Sequence, residues 1–475
     1  MTATATELAA RPAIEVWLGF APAPPLAAGV VELAETDSFA IFDAMRSAGV
    51  ADVRRIGVLC STPSHVAVAR AAGAGAVVAV GGAETLSAAA PDALVAREDL
   101  DTLVAARYGA DGSQRRLVLL NPGPALTSDA VKRAAAGTDL CHREPEFREL
   151  DRRIRGKLRT LAGVGIDWPI ALLSGSGTSA NEAALRAVVR PGRRLLVVVN
   201  GVYGERLRET ARRAGIETIA VEGRWTEPID VARVADALAA EPGLDALAVV
   251  HHETTTGLLN PLAELAHAAA ATGVLSVVDA ISSFGVEEVA LGDGIDFMTC
   301  TSNKCLHGLP GAAFVLVSPA GSRRARSVEP SSVALDLCAY LDVDVSGSPP
   351  FTPAIPALAA LDVALDRVLV EGVAGRRARY AERCAIVDAA FGRLGLEQLV
   401  ESSTRSHSIR SVRLPDGVSF AALHERLRAA GFVIYAGQGA LAAEIFRVAC
   451  MGELEPSDMH GFVAALECAL TELGT

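Results

Sequence analysis

Residues 277–311 read VVDAISSFGVEEVALGDGIDFMTCTSNKCLHGLPG. An apolar run ends on Asp279, a second one (FMTCT) follows, and the loop after it carries Lys304 among serine, asparagine and glycine. The chain holds only three lysines, Lys132, Lys157 and Lys304, and uses arginine for the rest of its positive charge. Arginine stays protonated in a protein, whereas a lysine withdrawn from water can shed its proton and act as a nucleophile. A lysine kept in an apolar, glycine-bounded loop is therefore a candidate for covalent chemistry. Asp279 precedes it by 304 − 279 = 25 residues, one short strand earlier. A carboxylate at the end of a buried strand needs a cationic or hydrogen-bonding partner.

Upstream, strand and helix patterns alternate. IALL runs into Ser174-Gly175-Ser176-Gly177-Thr178 and then into the helical ANEAALRAVV. Glycines let a backbone approach a ligand closely, and a helix start offers unpaired N–H groups to an anion. Ser176, Gly177 and Thr178 thus form a candidate phosphate cradle, although a plain tight turn would read the same. The spacing is neither a P-loop nor a dinucleotide fingerprint. RRLLVVV leads to Asn200-Gly201-Val202-Tyr203-Gly204, where Tyr203 could lie flat over a planar ligand. ALAVVHH leads to the hydroxyl-rich Thr254-Thr255-Thr256 before Gly257. Strands alternating with helices predict a parallel sheet, and ligands of such sheets bind at strand C-termini. Every candidate named so far falls there.

The whole chain limits the alternatives. A length of 475 residues leaves room for two to four domains, and 51% hydrophobic against 21% charged residues suits a folded core. A net charge of −12 argues against a nucleic-acid binder. Eight scattered cysteines without a C-x-x-C pair predict reduced thiols in a cytoplasm, with neither a zinc site nor a disulfide framework. No basic-then-apolar leader is visible, and no apolar run approaches the ~20 residues that span a bilayer. The expectation is a cytoplasmic protein with no metal, nucleic-acid or membrane partner.

Residues 1–37 carry little structure signal and read as an extension or linker, with APAPP semi-extended. Residues 38–110 repeat strand and helix: IGVLC, AVVAV and DALVA are strands. This segment resembles the haloacid-dehalogenase family, in particular its phosphonoacetaldehyde hydrolase branch. That family carries a G-D-T-x-x-D turn where this chain has Cys60-Ser61-Thr62-Pro63-Ser64-His65. Both acidic positions are gone, and no D-x-D signature accompanies Asp37, so the segment lacks an oxygen cage for magnesium. The resemblance implies a degenerate, catalytically inactive remnant.

The order of cradle, aromatic, hydroxyl turn, strand-end Asp279 and loop Lys304 identifies a resemblance over residues 115–475. HHETTTGLLNPL, VVDAISSFG, TSNKCLHGLPGAAFVLVS and GFVIYAGQ with FRVACMGEL resemble the class V (fold-type I) aminotransferases, nearest the branch that moves the amino group of 2-aminoethylphosphonate to pyruvate. The resemblance implies an α/β fold with a large mostly parallel-sheet domain over 111–365 and a small α/β domain over 366–475. It implies pyridoxal 5'-phosphate as cofactor and small amine and keto-acid substrates. Lys304 resembles the lysine that holds the cofactor's aldehyde covalently, and Asp279 the carboxylate under its pyridine nitrogen. Thr254 resembles the hydroxyl at the phenolic oxygen, Tyr203 the stacking aromatic, and Asn303 the polar residue before the lysine. Ser176, Gly177 and Thr178 match the phosphate cradle. Thr352, in GSPPFTPAIP, resembles a residue that reaches the phosphate of a neighbouring subunit, which implies a homodimer with shared sites. Arg447 resembles the arginine that grips the substrate's acid group. Two departures stand out: His307 replaces a glutamine common in that branch, and Ala436 replaces a proline. An alanine- or serine-glyoxylate transaminase is the alternative, and a lyase or desulfurase using Cys305 a more distant one.

Overall fold

The structure, a computed structural model, describes residues 117–475 except Asp293, and before them only the backbone of five strands. The chain divides into two compact units, 1–116 and 117–475. In the first, Val30–Leu33, Val16–Phe20, Ile56–Cys60, Ala76–Val80 and Ala93–Val95 lie side by side in that order, all parallel. Three of these strands are the ones expected from the sequence. The other two, VWLGF and VVEL, come from the stretch treated as a linker, so the sheet crosses the boundary drawn at 37/38. Both are short apolar runs between proline- and alanine-rich segments, too brief for a periodic signal. The Ser61–His65 turn and the helices expected around it lie outside the described residues.

The second unit is built on seven strands in the order Ile170–Gly175, Gly311–Val317, Phe297–Thr301, Leu275–Asp279, Leu244–Val250, Arg194–Val199 and Glu217–Glu222. Only Gly311–Val317 runs against the others. It follows the Lys304 loop directly, and an antiparallel neighbour needs no crossover helix. The strands on either side of the central one, Leu244–Val250 and Phe297–Thr301, are buried at every position, as strands covered on both faces must be. Side chains alternate between two cores. Leu247, Val249, Val278 and Met298 enter one, and Ala246, Ala248, Val277 and Phe297 the other. All the parallel strands therefore end on one edge, and their C-terminal loops are neighbours.

A third core belongs to the C-terminal part. Ile409–Arg413, Ile445–Ala449 and Tyr435–Ala436 form a three-stranded antiparallel sheet. Helices Val373–Arg393, Phe420–Ala429 and Pro456–Glu472 supply Phe391, Leu423, Leu427 and Phe462 to its packing. Val118 and Leu120 join that core, and Val118–Leu119 pairs with Phe432–Val433. The 111–365 boundary places this segment in the large domain, whereas its strand pairs and packs in the C-terminal part. Among the described residues no helix is long and apolar enough to cross a membrane, and no His, Cys, Asp and Glu cluster fits a metal ion.

Candidate active site

Asp279 closes the strand Leu275–Asp279 and is 5% exposed. Asn181 Nδ2 donates to its Oδ2 at 2.7 Å and the Ile281 N–H to its Oδ1 at 3.0 Å. The Thr299 hydroxyl donates to Asn181 Oδ1, which fixes which end of that amide faces Asp279. Burial pushes the Asp279 carboxyl above its ordinary range, and the bonds from Asn181 and Ile281 work against that. The carboxylate is thus oriented by two N–H donors and has no bonded counter-charge among the described residues.

Lys304 occupies the loop between Phe297–Thr301 and Gly311–Val317, partly buried. The loop is pinned on its N-terminal side: Asn303 O accepts from the Ala125 N–H at 3.0 Å, and Thr301 Oγ1 donates to Asn303 Oδ1 at 2.8 Å. The Asn121–Pro124 turn lies against the lysine stem. Gly123 has φ +102°, a backbone that favours glycine, and a Cβ there would press on the lysine stem, 3.2 Å from Lys304 Cε. Lys304 Nζ is 5.8 Å from the centroid of the Tyr203 ring.

Tyr203 lies in the first turn of helix Val202–Arg213. Its N–H and that of Gly204 donate to the Glu253 carboxylate at 3.1 and 2.7 Å. Glu253 is completely buried, and desolvation raises its pKa to about 7 against the pull of those two bonds. Arg206 stacks over the same ring at 4.8 Å.

Thr254, beyond the end of Leu244–Val250, is fully buried and its hydroxyl has no partner among the described residues. Buried hydroxyls are nearly always bonded, so this one is an unfilled donor. Its carbonyl accepts from Arg447 Nη1 at 3.1 Å. Ser176 precedes helix Gly177–Val188 without capping it, which leaves its hydroxyl available. Gly177 must be glycine, because a Cβ would come within 2.3 Å of Ile281 Cδ1.

Arg447 sits in Ile445–Ala449 and is 2% exposed. Its Nε donates to Ala436 O at 2.7 Å, and the guanidinium lies 5.9 Å from the Tyr435 ring. Burial lowers its pKa, and Tyr203 opposes the shift. Among the described residues it has no carboxylate partner. Thr352 is exposed, two residues before Ala354, whose N–H donates to Ser174 Oγ at 2.7 Å.

Residues 131–451 match the family described as aminotransferase class-V. The chain belongs to the class-V aminotransferases. A 2-aminoethylphosphonate–pyruvate transaminase of Burkholderia thailandensis is 38% identical over 366 residues, 76% of this chain and 98% of that protein. The structure of pyridoxamine-pyruvate aminotransferase from Mesorhizobium loti is similar with a TM-score of 0.72 and 28% identity, covering 76% of this chain and 93% of that one. That of alanine–glyoxylate aminotransferase from Nostoc gives 0.72 and 28%, with 75% and 95% covered.

For a class-V aminotransferase the residues present fit pyridoxal phosphate. Asp279 lacks the cation that a protonated ring nitrogen would supply, and the Thr254 hydroxyl lacks the acceptor that a phenolic oxygen would supply. The uncapped helix start at Ser176–Thr178 can take the phosphate. Two residues of this aminotransferase site escaped the sequence reading. Asn181 was one polar side chain in an alanine-rich helix, and Glu253 was overshadowed by the threonines beside it. Asn181 offered only an amide among alanines and Glu253 only an acid among histidines and threonines, and neither context says what the side chain bonds.

Proposed function

We propose that this aminotransferase moves the amino group of 2-aminoethylphosphonate to pyruvate, giving phosphonoacetaldehyde and alanine. The observation that carries the reading is Arg447. A buried guanidinium bonded to carbonyls and to no carboxylate is a site for a substrate anion, and its planar fork suits phosphonate or carboxylate. Its Nη1 reaches the carbonyl of Thr254, so that anion would lie beside the cofactor's expected place. The name of the Burkholderia relative supports the phosphonate.

Bound pyridoxal phosphate supplies an electron sink for charge on the amine-bearing carbon. The protein's residues do the rest. Asp279, oriented by Asn181 and Ile281, would keep the ring nitrogen protonated. Lys304 Nζ would hold the cofactor, and its amine is the group placed to take the proton from the donor carbon, as general base and then acid. Tyr203 would stack on the ring, Thr254 would meet the phenolic oxygen, and Ser176, Gly177 and Thr178 would hold the phosphate. Asn303 fixes the approach of Lys304 through its bond with Thr301. Thr352 reaches the phosphate of a second subunit in a homodimer; the exposed Val345 and Phe351 on the same segment support such an interface. A desulfurase role for Cys305 is disfavoured, because its thiol is buried, bonded to Ser282 O and pushed up to about 12.

The test is a donor panel on the cofactor-loaded protein: 2-aminoethylphosphonate, alanine and serine, with pyruvate or glyoxylate as acceptor. The phosphonate is expected to give the highest kcat/KM with pyruvate. Absence of any spectral change on adding the phosphonate sinks the proposal. Residues 38–110 are read as an inactive haloacid-dehalogenase-like packing segment; phosphatase or C–P hydrolysis activity destroyed by substitution there would overturn that.

A further inference from the structure

His307, the departure noted three residues after Lys304, does not point at substrate. It is 2% exposed and φ +60° makes it the one non-glycine residue with left-handed backbone among those described. Such a conformation costs of order 1–3 kcal/mol and persists only where the surroundings over-determine it. The Gly452 N–H donates to His307 Nε2 at 3.0 Å, so Nε2 is the unprotonated nitrogen. The Tyr380 hydroxyl donates to the same atom, and Nδ1–H faces Glu453 Oε1 at 3.3 Å.

Tyr380 is the middle of three polar residues on one face of helix Val373–Arg393. Arg376, Tyr380 and Arg383 are spaced four and three apart and are at most 1% exposed. Arg376 Nη1 donates to Cys305 O at 2.6 Å, one residue after Lys304. Arg383 Nη1 donates to Cys450 O at 3.2 Å and Gly452 O at 3.1 Å, and Nη2 to Leu454 O, all just after the Arg447 strand. One helix face therefore binds the backbone that follows the lysine and the backbone that follows the arginine. Buried polar groups are a costly way to join two elements compared with apolar packing. They do fix a register that greasy contacts leave adjustable.

We infer that this face is a spacer that sets how far Lys304 stands from Arg447, and so which length of donor reacts. Arg376, Tyr380, Arg383 and His307 are positioning residues acting through the two loops. The inference rests on the proposed roles of Lys304 and Arg447. A donor must present its amine-bearing carbon to one while its acid group is held by the other, and misplacement of about 1 Å can cost ~100-fold in rate.

The experiment uses the full chain loaded with pyridoxal phosphate. It compares kcat/KM for 2-aminoethylphosphonate and for 3-aminopropylphosphonate, one carbon longer. Calorimetry with ethylphosphonate, which has no amine, reads the anion pocket alone. Tyr380→Phe, which removes a single oxygen, and His307→Ala should each shift the ratio of the two donors by about tenfold, equivalent to ~1.4 kcal/mol. Ethylphosphonate affinity should stay within about twofold, since neither residue touches Arg447. His307→Gln, which restores an acceptor for the Gly452 N–H, should return the ratio towards wild type. An unmoved ratio in Tyr380→Phe and His307→Ala, or equal loss on both donors, overturns the spacer. If wild type turns over neither aminophosphonate, the proposed substrate fails instead; the same ratio is then read with alanine against β-alanine.

Discussion

Lys304 and Arg447 are the basic residues proposed to take the cofactor and the substrate's acid group, and they are fixed in opposite ways. Lys304 stands on a loop at the edge of the seven-stranded sheet, with its stem against Gly123 and its amine facing an aromatic ring. Arg447 is locked within a strand of the small antiparallel sheet, with Nε and Nη1 already bonded to carbonyls. The lysine is placed but left free to change partners, as a group that must move a proton requires. The arginine is held by bonds to carbonyls and has no carboxylate partner among the described residues, which suits a group proposed to orient a substrate anion. The lysine end should therefore govern turnover and the arginine end should govern binding.

The sharpest test of that division is Lys304→Ala. It should lower kcat by about 1,000-fold or more, the scale of a lost general acid–base, and abolish the visible band of the loaded protein. Retention of that band would mean that Lys304 does not hold the cofactor. Asp279→Asn comes next. The Asn181 and Ile281 contacts survive in part but the charge beneath the ring nitrogen does not. A fall in kcat of about 100-fold is expected, on the order of 3 kcal/mol, with weaker cofactor retention measured by dialysis. Arg447→Ala should act differently, raising KM for the phosphonate about 10- to 100-fold, as for losing hydrogen bonds to a charged group. A change confined to kcat would break the comparison at the arginine end.

A last effect, on stability rather than on turnover or binding, concerns Glu253, the buried carboxylate that supports the turn bearing Tyr203. Its pKa is raised to about 7 from an ordinary 4.5. A raised carboxyl stabilises the fold while protonated, so its contribution is full below 4.5 and lost as pH climbs to about 7. The loss is on the order of 3 kcal/mol. His251 and His252, both lowered to about 4 by burial, run the other way and lose stability as pH falls from 6.5. The readout is therefore the difference in unfolding free energy between wild type and Glu253→Gln at pH 5 and pH 8. The variant should gain relative to wild type at the higher pH; a pH-independent difference would contradict a neutral Glu253 in the fold.

The anchor end was legible in the sequence because its residues lie at the ends of strands that announce themselves. VVD, SGSGTS and SNK each combine an apolar run with a loop of small polar residues, and the topology of alternating strands and helices brings such loops together. Glu253 and Asn181 were not legible, since a bond across 49 residues from Gly204 or 98 from Asp279 leaves no local pattern. His307 was visible as a departure, yet its orientation was not: only the packed helix Val373–Arg393 decides that it bonds Tyr380 and Gly452 rather than facing substrate.

The sequence by itself determined the chemistry: a scarce lysine, a strand-end aspartate and a glycine-serine cradle in an order that implies a pyridoxal-phosphate site. Those assignments depend on residue type and on strand ends, which short-range pattern encodes. The tertiary structure decided which strand pairs with Val118–Leu119, which amide orients Asp279, and how the lysine loop is joined to the arginine strand. These depend on contacts between residues far apart in the chain. A buried polar group takes whatever partner the packing brings to it, so its bond is settled only when the cores close.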